Sequence, residues 1–116
     1  MTYDPNCLFC RIAKGEIPAD VVLERSDLLA FRDINPQAPT HVLVISRDHI
    51  PSLEALTEQH GELLTNLVRA TNEVARQEGI ASGFRVVTNI GAAAGQSVQH
   101  LHLHVLGGRT MHWPPG

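Results

Sequence analysis

The sequence lacks long apolar runs. No segment holds about 18 consecutive apolar residues, the length of a helix that crosses a bilayer, so no membrane span is predicted. The N-terminal stretch MTYDPNCLFC has neither the basic start nor the apolar core of a secretory signal. A cytoplasmic protein with no membrane partner is therefore expected.

Excess positive charge is also absent. The 116 residues include nine Lys and Arg against 12 Asp and Glu, a formal net charge of −3. Proteins that bind nucleic acid usually present a basic face, so this balance argues against nucleic acid as a partner. The sequence has no low-complexity tract, internal repeat or linker, and residues 1–116 are interpreted as a single domain.

Hydrophobic periodicity predicts strands gathered around one long helix. The longest helical pattern covers residues 58–78, with Thr57 as its cap and Gly79 at its end. A short helix is predicted over 7–14, and Ser52 can cap another helical stretch. Strands that cluster in this way favour an α+β fold with a mainly antiparallel sheet. The five predicted strands are 21–24, 28–33, 41–46, 84–89 and 100–106.

Three of the seven histidines alternate with apolar residues in the segment QHLHLHV, residues 99–105. Successive side chains of a strand point to opposite faces, so His100, His102 and His104 share one face. The Leu and Val side chains share the other face, which we expect to pack under the long helix. The histidine face is expected to form a polar cleft or a surface. A strand that is merely rich in histidine is the alternative.

A loop rich in glycine and alanine, residues 90–97, leads into this strand. Gly95, Gln96 and Ser97 can present backbone N–H groups to a phosphate without obstruction by side chains. Imidazole is a nucleophile near neutral pH, and a protonated neighbour can hold charge on a phosphate. A phosphate-sized loop beside three imidazoles indicates phosphoryl or nucleotidyl transfer.

The segment HLHLHVL, residues 100–106, resembles the histidine triad pattern, in which histidines alternate with apolar residues. The ending GGRTMHWPPG, residues 107–116, is similar to the Hint branch of the histidine triad (HIT) superfamily. The resemblance implies a HIT-like fold, and a homodimer whose two sheets join into one. The resemblance covers almost the whole chain, including GEIP at 15–18, AFRDI at 30–34, PQAPTHVLVI at 36–45 and GQSV at 95–98.

The resemblance also implies a reaction and a role for each site residue. The family hydrolyses purine nucleoside phosphoramidates, and related adenylates, to the nucleoside monophosphate. His102 corresponds to the nucleophile, and His41 and His100 to the residues that orient it and set its tautomer. His104 corresponds to a phosphate contact and Ser97 to the residue that hydrogen-bonds the leaving amine. The other implied nucleotide contacts are Phe31 and Ile34 for the base, Asp33 for the ribose, Asn89 for phosphate or ribose, Gly95, Gln96 and Val98 around the phosphate, and Trp113 near the partner's active site.

Ordinary structural roles are the alternative for several of these residues. Of two further histidines, His60 is predicted to face solvent without a role and His112 to lie at the surface. The alternatives are a turn for Asp33 and Asn89, the core for Phe31 and Ile34, the backbone of its own loop for Ser97, and a dimer seam for Trp113.

The sequence has only two cysteines, Cys7 and Cys10. In a reducing cytoplasm their spacing indicates metal or redox chemistry before a structural disulfide. Some bacterial-type HIT proteins hold zinc with such a pair, a histidine like His49 and the first triad histidine, His100. The resemblance therefore implies a structural zinc ion with four protein ligands, and no cofactor for the chemistry. Two buried, reduced cysteines are the alternative.

Together these features predict a nucleoside phosphoramidase that acts on a small purine nucleotide through a nucleotidyl-histidine on His102. A dinucleoside polyphosphate hydrolase on the same scaffold is one alternative. A nucleotide-binding or scaffolding protein with incidental hydrolase activity is the other.

Overall fold

The computed structural model describes residues 2–116. In chain order the main elements are helix α1 (Leu8–Ala13), strands β1 (Val21–Glu24), β2 (Leu28–Arg32) and β3 (Thr40–Ser46), helix α2 (Gly61–Gln77), and strands β4 (Phe84–Val87) and β5 (His102–Gly107). Short 3-10 turns lie at Leu53–Ala55, Glu58–His60 and Ala92–Ala94. The strands form an antiparallel sheet in the order β1-β2-β3-β5-β4, which confirms the predicted α+β fold.

The central strand β3 is buried on both faces, as its continuous apolar run predicts. Its alternate side chains enter two separate clusters. Val42 and Val44 lie under α2, against Leu67 and Val74 of that helix and Leu103 of β5. The apolar residues of the histidine segment therefore pack under the long helix, as expected.

The opposite face of the sheet is covered by α1. Leu43 and Ile45 of β3 point to this side and pack with Phe9 and Cys10 of the short helix. Cys7 caps the helix, since its Sγ accepts a hydrogen bond from the backbone N–H of Cys10 at 3.3 Å. The segment that carries both cysteines therefore packs α1 against the sheet.

The start of α2 differs from the prediction. Thr57 caps a separate 3-10 turn, and the helix itself begins at Gly61. The His60 ring accepts the backbone N–H of Thr57 at 2.9 Å, so His60 completes the cap and is not an idle surface residue. Ser52 makes no side-chain capping bond, which contradicts its predicted role. The helix ends before Gly79, at φ +74°, as predicted.

The last two strands are shorter than predicted. β5 begins at His102, because the N–H of Leu101 donates to the carbonyl of Ile50 at 2.6 Å, outside the ladder with β3. β4 ends at Val87. The loop over 90–97 is part of the segment that connects the end of β4 to the start of β5. Irregular backbone therefore lies directly beside the histidines.

Several apolar side chains of α2 and of the edge strand β4 are exposed. Leu64 and Val68 of α2 are 39% and 50% exposed, although their spacing places them in the predicted apolar stripe. Val86 of β4 and Ile90 just beyond it are 43% and 44% exposed. Between residues 2 and 116, no helix is long and apolar enough to cross a membrane.

Candidate active site and metal centre

A cleft of about 650 Å³ opens between α1 and the histidine face of the sheet. Its lining is mostly apolar, and its polar residues include Asp33 and Ser97 beside two of the triad histidines. Four implied contacts do not line the cleft, namely Asn89, Gly95, Gln96 and Trp113. The seven implied nucleotide contacts that do line it are Phe31, Asp33, Ile34, Ser97, Val98, His102 and His104.

His102 is held in one tautomer by its own strand segment. Its Nδ1 lies 2.6 Å from the carbonyl oxygen of His100, which can only accept, so Nδ1 carries the proton. The lone pair is therefore on Nε2. The ring packs edge-on against Phe9, with centroids 5.0 Å apart. An imidazole with an available Nε2 lone pair in a cleft is a competent nucleophile.

A backbone donor sets the tautomer of the second histidine pair. The N–H of Gln37 donates to Nδ1 of His41 at 3.0 Å, so the proton of His41 is on Nε2. That Nε2 donates in turn to Nδ1 of His104 at 2.9 Å. The proton of His104 is therefore on its Nε2, and this residue offers the cleft an N–H suited to a phosphate oxygen.

Burial keeps both rings of this pair neutral. Desolvation, with smaller contributions from His102 and His41, lowers the pKa of His104 to about 4, although Asp33 opposes the shift. Burial likewise lowers the pKa of His41, again against the effect of Asp33. At neutral pH the pair supplies a hydrogen bond and no formal charge, whereas the sequence suggested a protonated imidazole beside the phosphate.

The implied orienting contacts are only partly made. His41 bonds to His104 and not to His102. His100 does orient His102, but through its backbone carbonyl, while its ring is fully buried. On the histidine face, His102 and His104 therefore line the cleft, whereas the His100 ring lies in the closed interior. Alternation along a strand shows which side chains share a face, but it does not show which ring atoms meet.

Gln96 holds the loop that precedes β5. Its Oε1 accepts the N–H of Gly91 at 2.9 Å, and its Nε2 donates to the carbonyls of Pro51 and Val98 at 2.7 and 3.1 Å. Its backbone N–H donates to Gly91 at 3.2 Å. All donors of Gln96 are therefore used inside the protein, where they fix the loop, and its implied phosphate contact stays a prediction.

Two backbone donors beside Gln96 are free. Within residues 2–116, no acceptor pairs with the N–H groups of Ser97 and Val98, and both residues line the cleft. The Ser97 side chain is exposed there as well. Two adjacent unpaired N–H groups beside imidazoles are able to bind an anionic oxygen.

Asp33 and Phe31 have structural and cleft-lining roles at once. Oδ1 of Asp33 accepts the N–H of Asn35 at 2.8 Å, which is the turn role that the sequence left open. Its Oδ2 lies 3.4 Å from Nε2 of His41 at the cleft. Phe31 is 5% exposed and belongs to the core beneath α1, and Ile34 is fully exposed at the rim.

The tail residues lie elsewhere. Arg85 donates to the carbonyl of His112 at 2.8 Å, and the His112 side chain is exposed, as predicted. Trp113 is 81% exposed and does not line the cleft of its own chain. Asn89 is half-buried just beyond β4. The place of Trp113 near a partner's active site stays a prediction.

Sequence reasoning missed one wall of the cleft. Leu8, Phe9 and Ile12 of α1 line it, and the Phe9 ring lies edge-on 5.6 Å from Phe31. The available signal is the apolar spacing of residues 8 and 12 around the cysteines. A short amphipathic helix shows that it packs on something, but not which sheet face it covers.

The four implied zinc ligands meet beside α1. The donor atoms of Cys7, Cys10, His49 and His100 all lie within 4.8 Å of one another. Sulfur-to-nitrogen separations are 3.2 Å from Cys7 to His100, 3.3 Å from Cys10 to His49 and 3.6 Å from Cys10 to His100. A tetrahedral zinc ion with usual bond lengths requires about 3.6 Å between sulfur and nitrogen ligands. The donor set and its spacing therefore fit zinc.

The hydrogen bonds around this cluster leave its ligand atoms available. Nε2 of His100 lies 2.6 Å from the carbonyl of Ser46 and carries the proton, so Nδ1 keeps its lone pair towards Cys7. Backbone N–H groups of Asp4 and Cys10 donate to the sulfurs of Cys10 and Cys7, which favours thiolates. Burial raises the pKa of the Cys10 thiol, so a cation is needed to keep it deprotonated.

A second group of possible ligands does not fit a metal. The donor atoms of Asp33, His41 and His104 also lie within 4.8 Å of one another. Here Gln37 occupies Nδ1 of His41, so the proton sits on Nε2, the atom that faces the other two residues. A protonated nitrogen has no lone pair for a cation, and this group is a hydrogen-bonded assembly.

Comparison with known proteins places this geometry in a family. A family model described as "Scavenger mRNA decapping enzyme C-term binding" matches residues 6–113. The crystal structure of a HIT family hydrolase from Legionella pneumophila matches with a TM-score of 0.94 and 52% identity, covering 96% of this chain and 100% of that one. An Arabidopsis thaliana protein described as adenylylsulfatase HINT1 is 47% identical over 115 residues, 97% of this chain and 78% of its own length. The chain belongs to the HIT superfamily, in its Hint-like branch.

The predicted family and the HIT fold are thereby confirmed. A maize relative described as a 14 kDa zinc-binding protein is 50% identical over 115 residues, which cover 97% of this chain and 90% of that protein. The HIT relatives support a nucleotide-binding hydrolase as the general function of this chain.

Proposed function

We propose that this HIT protein hydrolyses purine nucleoside 5′-phosphoramidates, and related adenylates, to the nucleoside monophosphate. His102 acts as the nucleophile. The observation that carries the proposal is the hydrogen bond from Nδ1 of His102 to the carbonyl of His100 at 2.6 Å, which leaves the Nε2 lone pair for attack in the cleft.

The reaction proceeds in two displacements. Nε2 of His102 attacks the α-phosphorus, the phosphorus–nitrogen bond breaks, and the amine, hydrogen-bonded by Ser97, takes up a proton and leaves. Water then attacks the nucleotidyl-histidine, the bond from phosphorus to Nε2 breaks, and the proton that water loses balances the one that the amine took up. The N–H groups of Ser97 and Val98 and the Nε2–H of His104 bind the phosphate oxygens. These fixed donors stabilise the negative charge that develops in each transition state.

The apolar part of the cleft suits a nucleobase. Phe9 and Phe31 present their rings to it, and Ile34 lies exposed at its rim. Asp33 lines the same cleft with its Oδ2 3.4 Å from Nε2 of His41, and its carboxylate accepts hydrogen bonds from ribose hydroxyls. A base at one end and donors for a phosphate at the other match a nucleoside monophosphate unit.

We propose that Cys7, Cys10, His49 and His100 hold a structural zinc ion. When bound, the ion cross-links α1 to the sheet and, with four protein ligands, keeps no position open for substrate. The maize zinc-binding relative supports this proposal, as does the fit of the donor atoms. Both cysteines are free, which agrees with a protein of the reducing cytoplasm.

A homodimer is also part of the proposal. β4 is one of the two edge strands of the sheet, and apolar side chains are exposed on it and just beyond it (Val86 and Ile90) and on α2 (Leu64 and Val68). Pairing two β4 edges would join two sheets into one and cover exposed apolar side chains of both chains. Sedimentation equilibrium should give the mass of two chains, and the mass of one chain would contradict the assembly.

The decisive test is hydrolysis of adenosine 5′-phosphoramidate, followed by the appearance of AMP. Wild-type protein and His112→Ala should turn over, since His112 is exposed and lies outside the cleft. His102→Ala should bind AMP without turnover, and retained turnover would refute the nucleophile. Adenosine 5′-phosphosulfate is the adenylate to test next, given the adenylylsulfatase relative. Faster cleavage of a dinucleoside triphosphate would favour the alternative hydrolase.

A further inference from the structure

We infer that Phe9 is a positioning residue that couples the metal centre to the nucleotide cleft, so that zinc and nucleotide bind cooperatively. The inference rests on the proposed function, because it takes a nucleotide as the ligand of the cleft. It concerns neither site alone but the side chain that the two share.

Phe9 lies between the two cysteine ligands in the sequence and between the two sites in space. It is 5% exposed. Its ring centroid is 5.9 Å from that of His100, a zinc ligand, and 5.0 Å from that of His102, the nucleophile. It also packs edge-on against Phe31 at 5.6 Å, on the wall of the cleft. One side chain therefore contacts a metal ligand, the nucleophile and the base pocket.

The helix that carries Phe9 depends on its attachments. α1 has six residues, and isolated helices of this length are not stable in water. Its N-terminal end is tied down by Cys7 and Cys10, and its C-terminal end by Arg47, which donates to the carbonyl of Ala13 at 2.8 Å. Without a metal, the two cysteines hold this end only through apolar contacts and weak bonds to sulfur, while Thr2, five residues before Cys7, stays hydrogen-bonded to Asp48 and His49. The wall formed by Phe9 then becomes the mobile part of the cleft.

The rest of the fold does not depend on the metal in the same way. The cluster under α2, which includes Leu67, Val74 and Leu103, contains none of the four zinc ligands. That cluster lies on the opposite face of the sheet from α1. Loss of zinc should therefore loosen the Phe9 wall while the sheet and α2 stay folded, which circular dichroism of the zinc-free protein can verify.

Coupling of this kind is reciprocal. If zinc raises the affinity for AMP by some factor, AMP must raise the affinity for zinc by the same factor. We expect a factor of about ten, within the usual range for coupled sites. The ratio of the two AMP dissociation constants, zinc-free over zinc-loaded, is the quantity that reports the coupling.

The experiment measures AMP binding by calorimetry on zinc-loaded and chelator-stripped protein. Phe9→Leu is compared with Phe31→Leu, because both phenylalanines are 5% exposed and both line the cleft. Phe31 lies on β2, which the sheet holds without help from the metal. Phe31→Leu should weaken AMP binding and keep the ratio near ten, whereas Phe9→Leu should bring the ratio towards one. A role of Phe9 in packing alone would leave the ratio unchanged.

Each outcome is decisive. A wild-type ratio of one overturns the inference and leaves the proposed function standing. A ratio in Phe9→Leu as large as in the wild type also overturns it. Coupled binding of AMP and zinc without hydrolysis of the phosphoramidate supports the inference and refutes the proposed function. If neither the zinc-loaded nor the zinc-free protein binds AMP, both the inference and the proposed function are overturned. In a second measurement, zinc affinity with and without AMP must change by the same factor.

Discussion

The metal centre (Cys7, Cys10, His49 and His100) and the cleft group (Asp33, His41 and His104) both gather side chains of types that bind metals. They differ in whether the backbone accepts a hydrogen bond from one of their imidazoles or donates one to it. In the metal centre, Nε2 of His100 donates to the carbonyl of Ser46, so Nδ1, which faces Cys7, keeps a lone pair. In the cleft, the N–H of Gln37 donates to Nδ1 of His41, so Nε2, which faces His104, carries a proton. A backbone acceptor thus leaves the other ring nitrogen with a lone pair for a metal, whereas a backbone donor leaves the other ring nitrogen with a proton to donate.

Among the variants that test this comparison, the largest expected effect comes from removing His104, the N–H donor in the cleft. His104→Ala deletes an N–H aimed at the phosphate, so kcat should fall by about 100- to 1,000-fold. AMP release from adenosine 5′-phosphoramidate measures the loss. The matched control is His60→Ala, which removes a histidine from the 3-10 turn before α2, far from the cleft lining. Wild-type kcat in His104→Ala would show that this ring is not a phosphate donor.

The next largest effect is on thermal stability, which zinc should raise through the metal centre and not through the cleft group. Excess zinc should stabilise the wild-type protein by about 3 kcal/mol at a free concentration 100 times its dissociation constant. Cys10→Ala should lose this zinc-dependent stabilisation, because it removes a ligand of the metal centre. His104→Ala should keep it, because the cleft group offers no lone pair for a cation. Thermal unfolding with and without zinc measures both, and loss of the zinc effect in His104→Ala would contradict the distinction.

The smallest effect is the pH response of the cleft pair. Because the folded pKa of His104 is about 4, below the ordinary value of 6.5, its unfolded form binds a proton first as the pH falls. The stability that depends on this ring is present above pH 6.5 and is lost as the pH falls towards 4. Thermal unfolding of zinc-free protein should show a shallower pH dependence for His104→Ala.

Nitrogen NMR of the imidazoles gives the direct check on that response. The expected tautomers are Nδ1–H for His102 and Nε2–H for His41 and His104, because a backbone or ring partner assigns each proton. His104 should remain neutral until the pH approaches 4. A doubly protonated His104 ring at neutral pH would refute the arrangement of donors.

Much of the site was predictable because its pattern is local. The period of two along a strand places His102 and His104 on one face, opposite the Leu and Val residues that pack under α2. The spacing of Cys7 and Cys10, together with the family resemblance, selected four zinc ligands that the fold does bring together. Residue type and spacing along the chain carry this kind of information.

Roles set by distant backbone groups were not predictable. Gln96 is among the implied phosphate contacts, yet its amide is occupied by Gly91, Pro51 and Val98. Nothing in the local sequence indicates that Phe9 packs on His102, because the two residues meet only when α1 covers the sheet.

The sequence by itself determined which residue types meet at this site: alternating histidines on a strand, a glycine-rich loop before it and a cysteine pair able to bind metal. Only the tertiary structure decided what each imidazole does. The reason is physical, since the position of one proton on a ring depends on whether a carbonyl such as that of Ser46 or an N–H such as that of Gln37 faces it. Those groups belong to segments that folding alone brings into contact.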